Sequence, residues 1–221
     1  MNPFLPCRYC VPDGEAHVFG ERCYLYGSYD IPGDTEYCSY EYHVFSSDIH
    51  DLENWVDHGV SFASRGPNAA VPWSDARLYA PDVAEKDGVY YLFFCLSDGT
   101  EGVATSLSPE GPFQNATQLF YPDDIRNSAP LDQIDPAVLV DDDGQAYYYW
   151  GQFTLHGARL TPDMKHLEKQ SYTENLISEE THWFHEGASV RKFRGKYYGN
   201  TAQKSRRDTA RSDIIRPWIN R

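Results

Sequence analysis

Residues 135–151 read DPAVLVDDDGQAYYYWG: an acidic residue, a short apolar run, a polar turn closed by glycine, and a second run of Tyr and Trp. Two runs rich in Val and aromatic residues, joined by a Gly-containing turn, are the signal of a β-hairpin. The same order of residue types returns in DGEAHVFGERCYLYGS at 13–28, DVAEKDGVYYLFF at 82–94 and EGASVRKFRGKYYG at 186–199. An acid heads each copy, Asp13, Asp82, Asp135 or Glu186, and successive heads lie 69, 53 and 51 residues apart. These intervals approach the ~40–50-residue period of propeller blades, so the expectation is four-stranded blades repeated around an axis. Polar stretches further along, SSDIHDLENW at 46–55, TSLSPEGPF at 105–113 and LTPDMKHL at 160–167, predict turns between outer strands. No sustained helical spacing of apolar residues competes, and the fold class is all-β. Repeated hairpins would also suit a β-sandwich; the period and the recurring acid favour the propeller.

The 221 residues, 41% hydrophobic and 15% aromatic, suffice for one core, since a chain of this size buries roughly 70% of its unfolded surface. A net charge of −14 argues against nucleic acid as a partner, because tracking phosphates requires clustered Lys and Arg. No apolar run approaches the ~18 residues that would span a membrane. The N-terminus MNPFLPCRYC lacks a basic region followed by an apolar stretch, so no secretory leader is read and a cytoplasmic location is expected, the alternative being a chain that begins after a removed leader. Five cysteines, Cys7, Cys10, Cys23, Cys38 and Cys95, form an odd set scattered through the first half of the chain, unlike a dense, even disulfide framework, and are expected as free thiols. Cys7 and Cys10 form a lone C-x-x-C without the second pair that a zinc site needs.

In a propeller the innermost strand of each blade lines the channel, so Asp13, Asp82, Asp135 and Glu186 are expected around one opening. Gathered carboxylates repel one another, which favours a proton on at least one of them, and an acid beside an ionised base is what glycoside hydrolysis requires. The alternative is that these acids cap turns, as Asp87, Asp141, Asp142 and Asp143 are expected to do.

The segments VPDGEAHVFGERCYLYGSYD, RLYAPDVAEKDGVYYLFF, GVATSLSPEGPF, IDPAVLVDDDGQAYYYWG and HWFHEGASVRKFRGKYY resemble, in order, the signatures of glycoside hydrolase family 43. The resemblance covers roughly residues 1–198 and implies a five-bladed propeller, of which about three and a half to four blades are present. It implies an inverting hydrolase of pentose-containing saccharides (xylan, arabinan, arabinoxylan), with β-xylosidase and α-L-arabinofuranosidase not separable from sequence. By position, Asp13 matches the general base, Asp135 the acid that tunes proton affinity and orients the sugar, and Glu186 the general acid. Asp82 matches a position near the sugar subsite, where the family more often carries Trp ahead of Ala-Pro and Tyr79 stands here. Tyr79, Trp73 and Phe184 are candidates to present ring faces to the sugar, with ordinary packing as the alternative. His17 follows the base along its strand and either reaches the channel or is a buried, satisfied histidine. An inverting pair implies carboxyls about 6.5–9.5 Å apart, with room for a water.

Beyond Tyr198 the pattern changes: residues 199–221 carry six Lys or Arg and two Asp, against 13 basic and 31 acidic residues in 1–198. The expectation is a partial propeller domain at 1–198 and an atypical basic tail at 199–221, a truncation or frameshift remnant, with the activity of such a chain expected to be weak. A basic docking segment is the alternative reading. No cofactor is expected and no metal ligand is assigned, because the channel calcium of the complete family fold would draw its ligands from the replaced region. Two other functions stay open, a retaining fructan- and sucrose-cleaving propeller, whose WMNDPNG-like motif is missing here, and a carbohydrate-binding propeller without catalysis. Oligomeric state is not legible.

Overall fold

The structure is a computed structural model that describes residues 4–126 and 133–203. The chain divides into two compact units between Gln118 and Leu119. In the first, β1 (Glu15–Phe19), β2 (Arg22–Tyr26), β3 (Glu41–Asp48) and β4 (Asp51–Ala63) form one antiparallel meander, and β5 (Leu78–Lys86), β6 (Val89–Leu96), β7 (Glu101–Ser106) and β8 (Gln114–Gln118) form another. Four strands in a simple meander are the format of a propeller blade. Turn chemistry sets the register. Asp87 and Gly88 both have positive φ, 55° and 79°, the geometry whose twist matches flanking strands, and the ladder then runs from Lys86↔Val89 to Asp82↔Phe93.

β5 is buried from Pro81 to Ala84 and β6 from Leu92 to Leu96, and β6 reads as a continuous apolar run rather than an alternating one. Their side chains join Tyr24, Tyr26, Tyr42, Phe62 and Phe113 in one core. Phe62 and Phe94 meet at 4.7 Å between ring centroids, and the buried tyrosines find acceptors, Tyr26 on the Pro109 carbonyl and Tyr42 on the Tyr79 carbonyl, each at 2.6 Å. Gly102 is required where β7 crosses this core, because a Cβ there would lie 2.5 Å from Phe94 Cζ and 2.8 Å from Trp73 Cη2.

In the second unit β9 (Ala137–Val140), β10 (Ala146–Trp150), β11 (Thr154–Arg159) and β12 (Thr173–Ser178) form a third meander, and β13 (Phe184–Phe193) pairs with β14 (Lys196–Gln203). Trp150 is fully buried and stacks with His156 and Tyr172. Arg194 and Gly195, with φ of 50° and 71°, repeat the tight turn of Asp87 and Gly88. Each of the four repeated segments is thus a hairpin, and the three polar stretches separate β3 from β4, β7 from β8 and β11 from β12. Among the described residues, three four-stranded meanders and one hairpin amount to three and a half blades, at the lower end of the three and a half to four expected. Of the expected basic tail, residues 199–203 continue β14, and 204–221 lie outside the described residues. All five cysteines are free thiols. No helix among the described residues is long and apolar enough to cross a membrane.

The acids of the β9–β10 turn act locally, as expected: Gln145 N–H donates to Asp143 at 2.9 Å. Asp141 also accepts from Tyr197 O–H and pairs with Lys192, which lies 2.7 Å from Asp142. Burial works to raise the proton affinity of Asp141, but donation from Lys192 and Tyr197 outweighs it and holds the carboxyl below the ordinary carboxylate range. A carboxyl depressed in the folded state contributes stability above its unfolded pKa and loses it as pH falls through the folded value. Lys192→Met is therefore expected to lower the urea midpoint at neutral pH and to converge with the parent protein in acid; a gap that persists at low pH would refute the ion pair as its origin. Gly102→Ala is expected to cost about 1–3 kcal/mol, the usual penalty of overpacking a core, and an unchanged midpoint would contradict the close approach of Phe94 and Trp73.

Candidate active site

In the first unit Asp13 precedes β1 with φ of 54°. Left-handed backbone costs a non-glycine residue about 1–3 kcal/mol and persists only where the surroundings impose it. Here the surroundings are the end of β2. Gly27 has no side chain, and a Cβ there would lie 2.7 Å from Val11 and 2.8 Å from the Pro12 carbonyl. The close approach lets the fully buried Ser28 donate to Asp13 Oδ2 at 2.7 Å, and its Oγ lies 3.2 Å from the Pro12 carbonyl. Asp13 Oδ1 has no hydrogen-bond partner among the described residues, so one oxygen is anchored and the other is available.

Strand alternation places Glu15, His17 and Phe19 on the less exposed face of β1. His17 Nε2 lies 2.6 Å from Asp82 Oδ1, which also accepts from Val83 N–H at 2.7 Å. Asp82 is only 1% exposed, so this head-of-repeat acid is held inside by an imidazole and a backbone amide. One donor atom each from Glu15, His17 and Asp82 lie within 4.8 Å of one another. Two carboxylates and an imidazole are a donor set a divalent cation can use, although ligation would require the His17 to Asp82 hydrogen bond to open. Tyr79 is partly exposed on β5, and burial pushes its hydroxyl above the usual tyrosine value. Trp73 stacks on Phe94 over Gly102 and donates its indole N–H to Thr100 Oγ1 at 3.2 Å, which makes it part of the core rim.

In the second unit Asp135 repeats the left-handed backbone of Asp13, with φ of 56°. Its Oδ2 accepts from the backbone N–H of Gly187 at 3.0 Å, and Gly187, at φ of 64°, takes a conformation natural to glycine. Asp135 is thereby tied to the residue next to Glu186. Glu186 stands near the start of β13, half-buried, and its Oε2 accepts from Gln152 Nε2 at 2.7 Å. Its Oε1 has no hydrogen-bond partner among the described residues. Phe184 is fully buried and presents no ring face to solvent. The structure therefore pairs His17 with Asp82 and ties Asp135 to Gly187 beside Glu186, and it puts Trp73 and Phe184 into packing. Sequence reasoning missed Glu15, Ser28 and Gln152. Only Glu15 carried a signal, its two-residue spacing from His17.

The sequence profile of Glycosyl hydrolases family 43 matches residues 1–216. The chain is 34% identical to Xylosidase/arabinosidase 43A of Humicola insolens, with 90% of this chain and 73% of that protein covered. It is 31% identical to a xylosidase/arabinosidase of Thermoclostridium stercorarium, with 90% of this chain but 46% of that protein covered, so it spans about half of the latter's length. A family 43 β-xylosidase/α-arabinofuranosidase from a compost microbial metagenome, crystallised with xylotriose in a calcium-free form, superposes with a TM-score of 0.69 at 29% identity, covering 90% of this chain and 72% of that one. The chain belongs to glycosyl hydrolase family 43.

Proposed function

We infer that this protein hydrolyses O-glycosidic bonds of pentose-containing saccharides, xylan, arabinan or arabinoxylan fragments, in one inverting step. In this reading Glu186 gives its proton to the leaving glycosidic oxygen while Asp13 takes a proton from the attacking water. Asp135, tied by Gly187 N–H to the residue beside Glu186, orients the sugar. The substrate class is supported by the relatives, named as xylosidases and arabinosidases, and by the xylotriose bound to the solved one.

The observation that carries the reading is the treatment of the carboxyls. Asp13 and Asp135 both take left-handed backbone two positions before the first residue of a strand, so the chain turns in the same way at each of these acids. Asp13 and Glu186 each have one oxygen held by a neutral side-chain donor, Ser28 or Gln152, and the other without a partner among the described residues. A carboxyl that must exchange a proton with a bound molecule needs that asymmetry. One that only caps a turn would direct its oxygens at its own backbone, as Asp143 does.

The reading is tested with aryl β-xyloside and aryl α-arabinofuranoside substrates. Asp13→Asn and Glu186→Gln preserve shape and remove proton transfer, and each is expected to lower kcat by about 10²–10⁴-fold. Binding of xylo-oligosaccharides without cleavage, indifferent to Asp13→Asn, would overturn the catalytic reading in favour of a binding function. The stereochemical prediction is separate. Proton NMR of the first-formed sugar is expected to show the anomeric configuration opposite to that of the substrate, and a retained anomer would exclude Asp13 as a base acting through water.

A further inference from the structure

We propose that Gln152 is a positioning residue that selects which oxygen of Glu186 carries the transferable proton and stabilises the carboxylate as that proton leaves. The inference rests on the reading of Glu186 as general acid. It starts from how residues 151–153 are held between β10 and β11. Gly151 has φ of 124°, and a Cβ there would lie 2.2 Å from the Thr154 carbonyl oxygen, so only glycine makes this turn. Its N–H donates to the Ile134 carbonyl at 2.9 Å, one residue before Asp135. Phe153 N–H donates to the His185 carbonyl at 2.7 Å, one residue before Glu186, and the Phe153 carbonyl accepts from Glu179 N–H at 2.9 Å. Both neighbours of Gln152 are therefore fastened by backbone hydrogen bonds to the residues immediately preceding the two acids. Between them the Gln152 amide donates to Glu186 Oε2 at 2.7 Å.

The chemical consequence follows from the donor. An amide N–H pointing at Oε2 favours that oxygen as the acceptor, carbonyl-like one, so a proton on the carboxyl resides on Oε1, the oxygen without a partner among the described residues. During hydrolysis the Oε1–H bond breaks as the glycosidic oxygen takes the proton and keeps the electron pair of its broken bond to the anomeric carbon. Water supplies the new bond to that carbon and gives its proton to Asp13, so charge and atoms balance. As Glu186 becomes anionic, the Gln152 hydrogen bond changes from neutral to charge-assisted, which is roughly twice as strong. It is worth more in the transition state than in the ground state, which is the condition for accelerating the chemical step.

Gln152→Met keeps the length of the side chain and deletes the donor; Gln152→Asn, too short to reach, is the second variant should the first fail to fold. With ¹³C-labelled glutamate in the full chain, the NMR titration midpoint of Glu186 is expected to move to higher pH by at least about half a unit in either variant, since the charged form loses the stronger bond. Turnover of glycosides with poor leaving groups is expected to fall about tenfold in kcat with little change in KM, and aryl substrates with good leaving groups to be nearly unaffected. An unmoved or lowered midpoint would overturn the proposal, as would an equal loss on both substrate types. Glu186→Gln separates the two claims: if it leaves hydrolysis of poor leaving groups intact, the general-acid reading fails, and the positioning role of Gln152 in catalysis fails with it even where the midpoint shifts.

Discussion

Hairpin register is the constraint on which the site depends. Successive side chains on a strand point to opposite faces, so a slip of one residue would turn every acid, histidine and core residue to the wrong side. Tight turns prevent the slip. Asp87 with Gly88 and Arg194 with Gly195 hold paired positive φ values that admit one connection between their strands. With β5 and β6 so fixed, Asp82 pairs with Phe93 and its side chain enters the interior, where burial without a partner would be costly. His17, placed on the less exposed face of β1 by its own pairing with Tyr24, supplies that partner. The buried acid and the histidine thus depend on two separate hairpins having the correct register.

The same logic makes the acids that head the strands conformationally unusual. Asp13 and Asp135 each stand two positions before the first residue of a strand, and in both the chain turns through left-handed backbone there. Aspartate tolerates that region better than most residues because its short polar side chain bonds locally. What holds the strained conformation is contact with other segments: Ser28 at the end of β2 for Asp13, and the Gly187 amide for Asp135. Strain at one residue is offset by hydrogen bonds from another segment of the chain, so each acid is oriented by tertiary structure.

Much of this was legible in the sequence because it is written in short-range chemistry. The four hairpins follow from apolar runs broken by glycine turns, and the acids follow from their recurrence at the heads of those runs. The donors were not legible. Ser28 and Gln152 sit in connecting segments whose direction is set by the clashes that Gly27 and Gly151 avoid, and neither residue differs by type from an ordinary polar loop residue. Aromatic residues were ambiguous for the opposite reason. Trp73 and Phe184 look equally suited to a sugar platform or a core, and the choice was made by neighbours distant in sequence, Phe94 and Gly102 for Trp73. The Glu15, His17 and Asp82 group lay between these cases, since strand alternation placed two members on one face but nothing local placed the third.

The chain contains two ways of holding a carboxyl, and their contrast bears on mechanism. Asp141 is gripped by the Lys192 ammonium and the Tyr197 hydroxyl and kept ionised well into acid, which suits a structural tie between a turn and a neighbouring hairpin. Glu186 and Asp13 have no Lys or Arg against them among the described residues; a neutral amide and a hydroxyl hold one oxygen apiece. A full positive charge beside a carboxyl favours its ionised form and lowers its proton affinity. Neutral donors orient a carboxyl while biasing its charge less, and they leave the second oxygen open to whatever approaches it. Orientation without ionic locking is the property that a proton-transferring carboxyl requires and a purely structural one does not.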